Sequence, residues 1–203
     1  RGDVSVFGLQ PVKDGAKVRS MCGVLSENNG LYEPLTLYDN LIYYADIYGM
    51  DRSDSNRRID ELLERLGLAD KKFVAVKGFA TGMKKKAALA RAMLHSPKIL
   101  LLDEPTNGLD PVSTADLREL LSELSRKKNT TIIMTTHNLE EVQKVCDTIS
   151  IMRRGQNIFS DSISKFSESR HYMEHGTFSL EKLYMDLESR FSDSTGEQTE
   201  VGQ

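Results

Sequence analysis

The stretch Lys98-Ile-Leu-Leu-Leu-Asp103-Glu104-Pro105-Thr106-Asn107-Gly108-Leu109-Asp110-Pro111 decides the fold. Ile99 to Leu102 is an unbroken apolar run of strand length, the pattern of a strand inside a parallel sheet rather than one with a wet face. It ends on two adjacent carboxylates, which places Asp103 and Glu104 at the C-terminal edge of the strand, where open α/β sheets bind ligands. Phosphates and a magnesium ion suit that edge. Mg²⁺ takes few carboxylates and keeps several waters, so Asp103 is the candidate metal ligand, and Glu104 can orient and polarise an attacking water. A lone Asp-Glu-Pro often does no more than cap the next segment; this whole run seldom does.

Working outward, the elements alternate. Upstream, Arg1-Gly2-Asp3 reads as a turn entering a strand at Val4–Phe7, Val12–Ser20 as a short basic helix or loop, and Cys22–Leu25 as a second apolar strand bounded by the polar loop Ser26-Glu27-Asn28-Asn29-Gly30. Thr36, with Asp39 three positions on, resembles a capping box, and Leu37, Leu41, Tyr44 and Ile47 fall at helical spacing before Gly49. Ser53–Leu66 repeats that logic, with Ile59, Leu62, Leu63 and Leu66 on one face and Gly67 closing the helix. The alanine-rich run Met83–Leu94 reads as a helix ended by Ser96-Pro97. Downstream, Leu117–Leu124 is helical, Thr131–Thr135 is a β-branched strand, Leu139–Cys146 is a helix, and Ile149–Met152 turns through Arg153-Arg154-Gly155 into Asn157–Phe159. The expectation is an α/β domain with a parallel sheet over residues 1–190 and a helical subdomain at 31–94. The polar segment 191–203 has nothing to bury and reads as a disordered tail.

Composition narrows the function. The 203 residues carry 27 Lys+Arg against 30 Asp+Glu, a formal net charge of -3, which argues against a nucleic-acid-coating surface or a polybasic membrane binder. No stretch reaches the roughly 18 apolar residues of a spanning helix. Cys22 and Cys146 form no CxxC pair, which suits a reducing compartment.

The Asp103–Pro111 run resembles the Walker B and D-loop of the ATP-binding cassette (ABC) ATPases, and the flanking segments resemble that family in order and spacing over almost the whole chain. Gly78-Phe79-Ala80-Thr81-Gly82-Met83 stands in the place of the signature Leu-Ser-Gly-Gly-Gln. Ile132-Ile133-Met134-Thr135-Thr136-His137 is similar to the strand carrying the switch histidine, and Glu27 stands where the family has a metal-sensing glutamine. The resemblance implies a P-loop NTPase-like ABC ATPase domain that binds ATP with Mg²⁺ and works as a homo- or heterodimer. It also implies a transmembrane transporter subunit or domain as partner, with the chain held at the cytoplasmic face of the membrane through it. Glu104 and His137 would then be catalytic, Asp103 and Glu27 metal-binding, and Glu27, Ala80, Thr81, Gly82, Met83 and Asp110 nucleotide-facing. The segment Thr177-Phe178-Ser179-Leu180-Glu181-Lys182-Leu183-Tyr184 resembles an exporter ending. Equally, it reads as a terminal helix packing Leu180, Leu183 and Leu187.

Two departures stand out. The phosphate cradle G-x-x-x-x-G-K-[ST] is nowhere in the chain; Gly78-Phe-Ala-Thr-Gly82-Met-Lys84 has the wrong spacing, though Phe73–Val76 before it resembles a strand. Because the family's cradle precedes the strand assigned to Val4–Phe7, truncation at the N-terminus is the expected explanation, and the fragment alone is expected to be inactive. The signature is also altered: Ala80 lacks the serine hydroxyl and Thr81 adds a Cβ where the family has glycine, which implies an asymmetric pair in which this subunit completes its partner's site poorly. The alternative from another class is a weakly or non-hydrolysing regulatory module, against which Glu104 and His137 speak; a soluble ABC protein of translation or repair is a third. His171 and His175 stand at i,i+4 but lack further ligands for zinc, and Lys84-Lys85-Lys86 reads as a solvated helical turn.

Overall fold

The computed structural model describes residues 2–167, 172–174 and 177–196, and the chain divides into two compact units, 1–136 and 137–203. Each unit has buried residues of its own.

In the first unit, α1 (Gly15–Ser20) leads into β1 (Cys22–Leu25), and three helices follow: α2 (Leu37–Ile47), α3 (Arg52–Arg65) and α4 (Thr81–Met93). Then come β2 (Ile99–Asp103), α5 (Pro111–Lys128) and β3 (Thr131–Thr135). The sheet order is β1-β2-β3, all parallel, with Cys22 opposite Ile99, Ile99 opposite Thr131, and Asp103 opposite Thr135. All three carboxyl ends therefore reach the same edge. One face of the sheet is packed: Leu25, Leu100 and Leu102 are buried, and a Cβ built on Gly23 would lie 2.0 Å from the Ala92 carbonyl oxygen, so glycine lets α4 press directly on β1. The other face is open, with Val24, Leu101 and Ile133 exposed. Burial on both faces, expected from the apolar run, is not realised, because the packed helices lie on one side only.

The helices begin where their caps dictate. Thr36 accepts from the Asp39 N–H and donates to its carboxylate, Asp51 accepts from the Ser53 N–H, and Asp110 accepts from the Ser113 N–H. Gly49 and Gly67, both at positive φ, follow α2 and α3 as expected. α2, α3 and α4 pack on one another through Leu37, Leu41, Ile59, Leu62, Leu63, Leu89 and Met93, all buried, and form a helical layer.

Two expectations in this unit are corrected. Val4–Phe7 is not a strand: Val6 and Leu9 exchange two backbone hydrogen bonds of 2.9 Å around Phe7 and Gly8, both at positive φ, a tight reversal that folds the segment on itself. Phe73–Val76 is not a strand either, because Val76–Gly78 forms a 3₁₀ turn. The signature helix starts at Thr81, two residues before Met83, with Ala80 as its N-cap.

The second unit contains α6 (Leu139–Val145), the antiparallel hairpin β4 (Thr148–Arg153) and β5 (Gln156–Ser162), α7 (Ser164–Ser167), the short pair β6 (Met173–Glu174) and β7 (Thr177–Phe178), and α8 (Leu180–Gly196). The hairpin turns at Arg154 and Gly155, both at positive φ. Ile149, Leu180 and Leu183 form its core with Val142, Cys146, Phe159 and Leu187 around them, so the terminal helix packs as read. α8 continues to Gly196, past the boundary drawn at Phe191, since extending a helix already begun costs far less than starting one. Residues 197–203, His171 and His175 lie outside the described residues.

Candidate functional site

The sheet's carboxyl edge in the first unit gathers Glu27, Asp103 and Glu104. Asp103 is the last residue of β2, on the open face, and the Thr135 hydroxyl beside it donates to its Oδ1. Glu104 follows at a φ of 45°. A side chain in that left-handed region costs about 1–2 kcal/mol and persists only where its surroundings hold it. Here the Glu104 N–H donates to the Thr135 carbonyl at 3.0 Å, and its own carbonyl accepts from the Asn107 N–H at 3.2 Å and from the Lys85 ammonium. Glu27 lies in the loop after β1. That loop is pinned from both sides: Tyr44 donates to the Gly30 carbonyl at 2.7 Å, and Arg91, its guanidinium 5.0 Å above the Tyr44 ring, donates to the Val24 carbonyl at 2.9 Å.

The Lys85 ammonium feels all three carboxylates. Burial pushes its pKa down, while Glu104, Asp103 and Glu27 pull it up. Set aside in sequence as part of a solvated lysine run, it stands three and four residues before the buried Ala88 and Leu89 and so shares their inward face. That spacing was the signal. Lys84, by contrast, pairs with Glu33.

Ala80, Thr81, Gly82 and Met83 open α4. Ala80 makes no side-chain cap, and the N–H groups of the first turn find no acceptor among the described residues, which leaves orphan donors and the positive end of a 13-residue helix. Such a terminus suits phosphate. The same turn packs on the segment after the carboxylates: a Cβ on Gly82 would meet the Gly108 carbonyl at 3.3 Å, and one on Gly108 would meet Thr81 at 3.5 Å. Asp110 serves as the N-cap of α5, its carboxylate accepting from the Ser113 N–H at 2.9 Å and hydroxyl at 2.6 Å. The hydroxyl, then the amide, of Ser113 hold its pKa down. His137 follows β3 by two residues and begins the second unit, where Asn138 caps α6.

Glu27 and Asp103 are exposed at this edge, and Glu104 is half-buried. A cavity of about 350 Å³ lies nearby, lined by Leu66, Lys85, Leu89, Pro105, Leu109 and Leu120 among others, but neither Asp103, Glu104 nor Glu27 lines it. Among the described residues no three His, Cys, Asp or Glu side chains converge as a metal cage. One or two carboxylates with a hydroxyl beside them fit Mg²⁺, which completes its shell with water and phosphate oxygens.

Known proteins place this geometry in context. A sequence-family profile described as an AAA domain, putative AbiEii toxin, Type IV TA system, matches residues 21–143. The ABC transporter ATP-binding protein NatA of Bacillus subtilis (strain 168) is 36% identical over 184 residues, which cover 90% of this chain and 74% of NatA. The bacitracin transport ATP-binding protein BcrA of Bacillus licheniformis is 34% identical over 193 residues, covering 94% of this chain and 61% of BcrA. A solved structure described as that of an ATP binding subunit of an ABC transporter superposes with a TM-score of 0.80 at 29% identity, over 93% of this chain and 77% of that one.

Proposed function

The chain belongs to the ATP-binding, ATP-hydrolysing subunits of ABC transporters, and on that premise we propose that Glu104 polarises the water that attacks ATP while Asp103 holds Mg²⁺. The observation that carries this reading is the junction of β2 and its carboxylates: the central strand of the sheet delivers Asp103 against the Thr135 hydroxyl, and the next residue is held in a left-handed turn by bonds to its own amide and carbonyl. Bound Mg²⁺ would supply charge neutralisation on the β- and γ-phosphate oxygens. Asp103 would hold that ion, Glu27 stands at the same edge and could contact it or its waters, and Glu104 would accept a hydrogen bond from the attacking water. The first-turn amides of α4 from a second subunit would face the γ-phosphate, so the working unit is a dimer. His137 would contact the same phosphate.

No helix among the described residues is long and apolar enough to cross a membrane. Coupling to transport would run through a membrane-embedded subunit or domain. Its docking surface would be the exposed apolar side of the helical layer, where Tyr32, Tyr43, Ile47 and Phe73 stand open.

In the native protein assembled with its partner, Glu104→Gln should lower kcat by roughly two to four powers of ten and leave ATP binding intact, so that ATP is retained unhydrolysed. Turnover and bound nucleotide, measured on the same sample, decide it: a protein with no turnover to lose would instead be the nucleotide-gated regulatory module.

A further inference from the structure

We propose that Lys85 is a positioning residue for Glu104, fixing the left-handed turn that carries this carboxylate and fastening it to the signature helix of the same subunit. The inference rests on the reading of Glu104 as the water-polarising group.

Three observations carry it. Glu104 stands at a φ of 45°, a conformation that a glutamate keeps only when its backbone is held. Its carbonyl accepts the Asn107 N–H at 3.2 Å and the Lys85 ammonium, a charge-assisted bond that reaches across 19 residues of chain from the second turn of α4. Finally, α4 grips the same segment a second time, where Thr81 and Gly82 pack on Gly108 and Leu109. A movement at the N-terminus of α4 is thus passed to Glu104 at two points, one ionic and one steric. The ion is held at the junction because Glu104, Asp103 and Glu27 stabilise the ammonium against the cost of its burial.

The consequence is a route within one subunit. Whatever charge meets the first turn of α4 acts on that subunit's own Glu104 through Lys85, in addition to anything it does across the dimer. Met, Gln and Arg all sustain a helix about as well as Lys, so substitutions at 85 probe the bond rather than the helix.

The experiment compares Lys85→Met, Lys85→Gln and Lys85→Arg with the wild type, using Lys84→Met as a helix control. Two readouts are taken: amide hydrogen exchange at Glu104 and Asn107 without nucleotide, and steady-state ATPase in the assembled transporter. The expected result is at least tenfold faster exchange at Asn107 and about a tenfold lower kcat with an unchanged KM for ATP in Lys85→Met and Lys85→Gln. Lys85→Arg should recover both, and Lys84→Met should alter neither. Wild-type exchange in Lys85→Met, faster exchange with wild-type kcat, or a loss that arginine does not relieve overturns the proposal. If instead Glu104→Gln leaves turnover intact while Lys85→Met still speeds exchange at Asn107, the tether stands and the reading of Glu104 fails.

Discussion

His95 lies flat against Tyr48, with ring centroids 3.6 Å apart and planes within 8°, and its Nε2 is 3.1 Å from the Cys22 carbonyl. That contact assigns the proton to Nε2 and leaves Nδ1, which is buried without a partner, as an unprotonated acceptor. Charging the ring would bury an N–H that nothing accepts. Burial accordingly pushes the pKa down, and the bond to Cys22 offsets this only in part. The sign follows: the folded state binds the proton less readily than the unfolded one, so stability is fully present above the unfolded value of about 6.5 and declines as pH falls below it. Urea midpoints between roughly pH 7.5 and 5.5 should fall in the wild type by no more than one proton's slope and stay flatter in His95→Gln. Equal slopes would assign the effect elsewhere. At this scale the carboxylates were legible, because an apolar run ending in Asp-Glu has few other uses. Asp110 was read as a nucleotide-facing residue, and the structure shows it capping α5. Lys85 was hidden because adjacent lysines look alike until the helix's phase is known.

Among the elements, strands and caps were the most readable. β3 occupies the residues predicted, and Thr36 caps α2 through the side chain singled out. The reversal at Phe7-Gly8 escaped notice because a turn with two positive φ angles ordinarily announces itself with Asn-Gly or Asp-Gly. α4 was started two residues late for a related reason: Ala80 gives no capping signal, though it is the N-cap. Placing a hydroxyl there supplies an acceptor for an orphan amide, so Ala80→Ser should stabilise the fold by about 1 kcal/mol. For a chain of this length that raises Tm by roughly 2–4 °C. Adding Thr81→Gly should return Tm towards the starting value, since glycine in a helix costs up to about 1 kcal/mol. Activity should move differently. A recovered hydrogen bond to a charged phosphate contributes on the order of 1.5–3 kcal/mol, so the double variant should raise the dimer's ATPase by about one to two powers of ten despite its unimproved Tm. An unchanged rate would show that the altered signature does not weaken the site it faces.

Over the whole molecule, the first unit's sheet is finished on one face only. Gly23, Leu25, Leu100 and Leu102 meet the helices, whereas Val24, Leu101 and Ile133, registered side by side on β1, β2 and β3, are 45%, 37% and 56% exposed. Parallel sheets are ordinarily covered on both faces, and a contiguous apolar stripe in water favours association. The stripe runs directly into Asp103 and Thr135, so whatever covers it also walls the edge that carries those two side chains. Neither composition nor periodicity reveals this, because an apolar run specifies that a strand wants both faces buried without specifying what buries them. The 203-residue chain expressed alone should therefore self-associate. Leu101→Thr with Ile133→Thr should shift it towards monomer in sedimentation with little change in Tm, since threonine suits a strand and exposed substitutions usually alter stability by about 0.5 kcal/mol or less. A wild-type chain that stays monomeric at high concentration would show that the exposed stripe is tolerated in water, and the edge beside it would then need no cover to stay folded.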